Sequence, residues 1–386
     1  MQLWRVLLLV TVTAGLAMPA QAGYREQAKR MHERLAGVPP SDAVLQQMED
    51  AINPGLPGNE NTAADIAMNN ENFYNVTLKN FAAPWTNRDR SVFVPLNDYT
   101  TTVIGMIRDD VAFNTLLSAD LTYVGRAGVV SAAPSATNND HYEQLENNNI
   151  NLRDDIKPAS QSAILGIPSS ATAGVITSRA ASEAFFVAGT NRAMFRFTLI
   201  NHLCNEMEQL HDTRLPPDRI RQDVPRSPGG DSRLFLNNCI GCHSGMDPMA
   251  QAFAYYNYDD AAGRLVYTPG SVQAKYFNND LNFPQGFRTP NDDWENRWRQ
   301  GQNAYLGFDQ SLPGSGAGAK SLGEELGNSD AFASCQVKKV FRTVCLRDPE
   351  DLADRTKVAE ITNTFRSTGY RMKQVFADAA VHCRGQ

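Results

Sequence analysis

Cys239-Ile240-Gly241-Cys242-His243 constrains this chain more than any other stretch of its 386 residues. Two thiols separated by two residues and followed at once by an imidazole read as the attachment site of a c-type haem. The spacing follows from the chemistry. At the start of a short helix the two thiols reach the two vinyl groups on one edge of the porphyrin, and the adjacent imidazole turns beneath the iron as its proximal ligand. A CxxC pair also occurs as a redox dithiol or as half of a zinc site. The first needs a βαβ context and the second needs two further ligands at clustered spacing, and the sequence offers neither.

The compartment agrees with that reading. Residues 1–22 carry Arg5, an apolar run from Val6 to Met18, and Pro19-Ala20-Gln21-Ala22. Such a run is too short for about 30 Å of hydrocarbon, and Ala20 and Ala22 place small residues where a signal peptidase reads them. A cleavable export signal is therefore expected, with an uncleaved anchor helix as the alternative, and the mature protein is expected in the periplasm. Thiols there tend to be oxidised, so Cys204, Cys335, Cys345 and Cys383 are expected to form two disulfides, unpaired buried thiols being the alternative. Three connectivities are open. If Cys335 and Cys345 share one helix, however, they stand about 15 Å apart, beyond the ~7 Å limit for a bridge.

Composition excludes several classes. With 42% hydrophobic and 20% charged residues and a formal net charge of −6, the chain is neither disordered nor a multi-span membrane protein. No basic block gives a footprint for nucleic acid or anionic lipid. The expected partner is a redox protein, with no nucleic acid and no stable membrane anchor once the signal is removed.

The expected fold class is mainly α: a helical c-type cytochrome-like haem domain over residues 176–386, an enlarged helical N-terminal part over residues 23–175, and a small β-ribbon. Ser41 can cap a helix reaching Ile52, and Val103, Met106, Ile107, Phe113, Leu116 and Leu117 keep helical apolar spacing. Residues 128–178 lack periodicity and read as a surface excursion. From Ser178 to Asp212, Phe197, Ile200, Leu203, Cys204, Met207, Leu210 and His211 fall on one helical stripe, with His202 opposite. A proline-rich loop follows, and Asp231 can cap the helix that delivers Cys239. Asp247 and Pro248 read as the cap and first residue of a further helix. Short apolar pieces from Leu265 to Phe277 suit the ribbon, and Asn291 can cap a turn carrying Trp294 and Trp298 on one helix face. The Gly-rich stretch 312–320 lacks the spacing of a nucleotide loop.

An iron held on both faces suits electron carriage, whereas an open sixth position suits catalysis or small-molecule binding. Met246 is three residues from His243, a reach of about 10 Å, too short to pass around the porphyrin edge, and Met249 meets a milder form of the same objection. His211 and then Met207 are the candidate distal ligands, with Met372 and His382 held open; each is also ordinary core filling. Arg219, Arg221, Arg226 and Arg233 could pair with haem propionates or simply be solvated. Tyr255, Tyr256, Trp294 and Trp298 could wall the haem or pack the core.

Through Cys239-Ile-Gly-Cys242-His243-Ser-Gly-Met246-Asp247-Pro248, the following Ala-Phe-Ala-Tyr-Tyr, and the closing Phe332-Ala-Ser-Cys335 and Phe341-Arg-Thr-Val-Cys345 segments, the chain resembles a bacterial family of single-haem c-type cytochromes. It is also similar to the haem modules near the C-termini of planctomycete-type cytochrome c proteins. The likeness covers about residues 180–383, and more weakly Ala119-Asp120-Leu121-Thr122-Tyr123. It implies covalent haem c on Cys239, Cys242 and His243, a mainly helical fold and export, but no substrate. The function expected is a periplasmic monohaem cytochrome acting in electron transfer. Its rivals are a peroxidase-like or oxygen-activating haem enzyme with an open distal site, and a haem-bearing docking subunit of a redox complex.

Overall fold

Polar caps punctuate an apolar 3.6-residue pattern along most of the chain, and the result is mainly helical. A computed structural model describes residues 22–187 and 189–385. The expected export segment, apart from Ala22, lies outside the described residues. Helix α1 (Tyr24–Ala36) is followed by α2 (Asp42–Ile52), where the Ser41 hydroxyl accepts from Val44 N as expected and Leu45, Met48, Ala51 and Ile52 turn inward. Next come α3 (Glu60–Met68), α4 (Asp98–Arg108), α5 (Asp140–Asn147), α6 (Arg179–Phe185) and α7 (Arg192–Thr198). The motif helix is α8 (Ile240–Ala250), and the chain closes with α9 (Gly318–Gly327), α10 (Asp330–Cys345), α11 (Leu352–Ser367) and α12 (Met372–His382). Among the described residues no helix is long and apolar enough to cross a membrane.

Among the described residues, strands occur as three antiparallel pairs: β1 (Thr122–Gly125) with β2 (Ile156–Ala159), β3 (Tyr256–Asp259) with β4 (Arg264–Tyr267), and β5 (Asp293–Glu295) with β6 (Ser315–Ala317). The ribbon expected from Leu265 to Phe277 thus begins earlier, at Tyr256, and Ala274–Phe277 is a 3-10 turn. Trp294 lies on β5 and Trp298 in a 3-10 turn capped by Asn296, not Asn291, so they do not share a helix face; both are buried.

The continuous helix expected over residues 178–212 is instead broken. Gly189 and Asn191 adopt left-handed backbone at φ 56° and 58°, and the Asn191 side chain donates to the carbonyls of Phe253 and Tyr256. A wide π turn, Leu199–Leu203, follows α7, and Cys204 at φ 54° ends it. Met207–Leu210 is a separate 3-10 turn, so His211 stands beyond any helix. Residues 128–178 are likewise more than a surface excursion: they supply α5 and β2, and Thr172–Ser178 is buried.

One apolar cluster extends from Ala28 to Cys383. Helix α12 packs on α1 and α3, and α9 packs on the 3-10 turn Phe113–Leu117, so residues from both sides of position 175 fill the same core. Both expected disulfides are present, as Cys204–Cys335 and Cys345–Cys383 with Cα separations of 5.3 and 5.4 Å. Cys335 and Cys345 do share α10 and bond to different partners.

Candidate functional site

Asp231 opens the segment that carries the motif. Its carboxylate accepts from Arg233 N, a short helical piece becomes the π turn Phe235–Cys239, and this runs on as α8. Because the helix is already under way, Asp247 and Pro248 fall inside it rather than beginning a new one. Proline lacks an N–H, so the helix gives up one hydrogen bond there. Asp247 does not cap; its carboxylate turns back one turn to His243.

Cys239, Cys242 and His243 are all half-buried, and the two cysteines are the free ones among the described residues. Cys239 packs against the small apolar cluster Ile220, Val224 and Phe235, while Cys242 packs against the main core with Sγ 3.5 Å from the Met207 carbonyl. Burial pushes the Cys242 thiol up to about 11. Among the described residues no three His, Cys, Asp or Glu side chains converge as a cation site.

The imidazole of His243 is fixed from one side. Nδ1 lies 3.1 and 3.2 Å from the two carboxylate oxygens of Asp247. Asp247 is fully buried, with Arg192 Nε at 3.0 Å and Arg221 Nη1 at 3.6 Å. Burial opposes its charge, but Arg192, His243 and Arg221 outweigh that and hold the carboxyl well below the usual range. Arg192 is shared with Asp223 through two bonds of 2.7 and 2.9 Å, and Arg221 also donates to Thr190 Oγ1. The described hydrogen bonds of His243 all run through Nδ1, which leaves Nε2 as the nitrogen for another partner.

The other face of α8 is closed. At about 100° per residue, Gly241 and Gly245 stand about 160° around the helix from His243. A Cβ at Gly241 would come within 2.6 Å of His211 Nε2, and one at Gly245 would overlap the indole of Trp298. His211 and Trp298 therefore pack directly on the helix backbone, and His211 Nε2 and Trp298 Nε1 are buried without a hydrogen-bond partner.

The structure thus brings His211 and Met207 to the motif, but His211 packs opposite His243 and the Met207 side chain is buried in the core. Met372 and His382 lie on α12, whose principal neighbours are α1, α3, α10 and α11; His382 is bonded to Asp354. Of the four arginines, Arg221 is committed to Asp247, Arg226 stacks between Phe235 and Phe283, Arg233 pairs with Asp231, and Arg219 lies over Phe287. Tyr255, Tyr256, Trp294 and Trp298 are buried packing. The sequence reading missed Arg192 and Asp223 and gave Asp247 the wrong role. The signal available was His243 and Asp247 at four-residue spacing on one helix, where side chains meet.

The donors suit a covalently attached haem. Two unpaired thiols, Cys239 at the end of the π turn and Cys242 in the first turn of α8, stand beside an imidazole with one nitrogen tied and the other available. Leu234 and Leu236, 45% and 52% exposed, offer apolar surface on the approach to Cys239. Comparison with protein-family models, curated proteins and solved structures finds no match.

Proposed function

We propose that this protein is an exported monohaem c-type cytochrome that acts in electron transfer, with Cys239 and Cys242 as thioether anchors and His243 as proximal ligand. The observation that carries the reading is the contrast among the cysteines: four are paired in disulfides, while the two of the motif are free and half-buried beside an imidazole held by Nδ1. When bound, the haem supplies one-electron Fe(III)/Fe(II) chemistry. The chain's part is to anchor it at two thiols, to aim Nε2 of His243, and to exclude water from the Asp247 side of that imidazole.

A second reading, a haem enzyme with an open sixth position, is favoured by the placement of His211 behind the motif helix and of Met207 in the core. Production of the protein together with cytochrome c maturation machinery tests both. The pyridine haemochrome is expected to show haem that survives extraction, and Cys239→Ala or Cys242→Ala is expected to move its band to the single-thioether position. Absence of covalent haem removes the proposal. Low-spin iron indifferent to carbon monoxide supports the carrier, and high-spin iron that binds it supports the enzyme.

A further inference from the structure

The feature of α8 that a haem-attachment motif does not require is the acid behind His243. An exposed i, i+4 His–Asp pair on a helix is ordinary and contributes little. This one is different in its surroundings. The Asp247 side chain has no solvent exposure, and His243 retains 19%. Burying a carboxylate costs several kcal/mol unless charges and hydrogen bonds compensate it. Here the compensation is built from two separate parts of the chain. Arg192 comes from the start of α7, Arg221 from the loop after the prolines, and Arg221 N approaches Oδ2 of the same carboxylate at 3.4 Å. Arg192 is held in turn by Asp223, and the Arg221 guanidinium lies over the Tyr276 ring at 4.8 Å. Two arginines and two aspartates balance formally, and the accepting capacity that Asp247 keeps points at His243 Nδ1.

Building on the haem reading above, we infer that Asp247 is a positioning residue for His243, holding the imidazole through Nδ1–H so that Nε2 is presented to iron as an unusually strong donor. An outer carboxylate on a ligating histidine fixes its tautomer and ring orientation and raises its basicity. A stronger donor stabilises Fe(III) over Fe(II), so the cluster lowers the reduction potential. The geometry carries a further consequence. Asp223 belongs to the same charge cluster but reaches only Arg192, not the histidine. Asparagine at either position deletes one negative charge, and only at Asp247 does it also turn the charge-assisted hydrogen bond to His243 Nδ1 into a weaker neutral one.

That difference is the test. In the haem-bearing full chain, Asp247→Asn is expected to raise the midpoint potential by a tenfold or larger change in the reduced-to-oxidised ratio, about 59 mV for one electron. Asp223→Asn is expected to raise it by much less. Equal shifts reduce Asp247 to one charge among several and overturn the inference, as does no shift or a downward one at Asp247. Should Asp247→Asn fail to retain haem, the unmodified ferric protein decides. A hyperfine-shifted His243 Nδ1 proton that persists in exchange with deuterated solvent supports the inference, and one that exchanges at the rate of an open imidazole overturns it. Failure of the haem reading appears separately, as absence of covalent haem in the unmodified protein.

Discussion

His202 sits 2% exposed with the Tyr99 hydroxyl 2.7 Å from Nε2, while Nδ1 is buried without a partner. Burial, with Lys339 adding to it, pushes this imidazole well below its ordinary value of 6.5, so it is neutral in the folded protein. Burial lowers His32 and His141 as well. The unfolded chain therefore binds more protons than the folded one below about pH 6.5. Stability from His202 is complete above that value and is lost as the pH falls, by up to about 1.4 kcal/mol per pH unit until the folded pKa is reached. Urea midpoints at pH 7.5 and 5.5 are expected to fall with acid, and His202→Gln is expected to flatten that slope while lowering both midpoints. An acid slope unchanged in the variant would remove His202 as a contributor. The legible residues were those whose chemistry is local: Cys239, Cys242 and His243 declare themselves by adjacency. His202 and Asp247 did not, because their partners Tyr99, Arg192 and Arg221 stand 26 to 103 positions away, beyond the reach of a spacing argument.

At the scale of elements, caps and amphipathic stripes were readable and breaks were not. Ser41, Asp231 and the α4 stripe Val103, Met106 and Ile107 behave as their sequence implies. The break between α6 and α7 is set by Asn191, whose side chain is spent on the carbonyls that follow the motif helix, a tertiary demand laid over a good helical periodicity. The disulfides show the same division. Geometry along one helix excluded Cys335–Cys345, yet the choice between the two remaining connectivities needed the fold. Both bridges tie α10, one to the end of a π turn and one to the residue after α12. Their sequence separations are 131 and 38 residues, for which loop-closure entropy gives about 5 and about 4 kcal/mol respectively. Paired serine substitutions are expected to cost stability in that order, Cys204→Ser with Cys335→Ser more than Cys345→Ser with Cys383→Ser, by denaturant unfolding. The reverse order would mean that native packing, not chain entropy, governs these bridges.

For the whole molecule the length of the chain is the question, since a single eleven-residue motif helix needs far less protein to support it. The packing answers part of it. The motif helix does not stand on a small domain with an N-terminal appendage. Helix α12 lies on α1 and α3, and the Arg34 guanidinium donates to the Cys383 carbonyl at 3.2 Å. The Asp98 carboxylate caps α6 across 81 residues, accepting from Arg179 N and Ala180 N. The closest joint is made by glycines. Gly323 and Gly327, four apart on one face of α9, lie against the backbone of Asn114 and Leu117 so closely that a Cβ at either would overlap a carbonyl oxygen. Backbone-on-backbone contact of this kind leaves no room for solvent or for repacking. A fragment of residues 176–386 would expose the surface that α1, α3, α4 and the turn Phe113–Leu117 now cover, and would leave Arg179 N and Ala180 N at the start of α6 without their Asp98 acceptor, with Ser178 Oγ still capping Ala181 N. Such a fragment is expected to unfold without a cooperative transition and to lose near-ultraviolet dichroism, whereas the full chain unfolds in one step. Gly323→Ala in the full chain is expected to cost about 1–3 kcal/mol, the range for forcing atoms into a filled interior. A fragment that melts cooperatively, or an alanine at 323 that costs nothing, would mean that the N-terminal helices are a separable attachment and that their purpose lies outside the support of the motif helix.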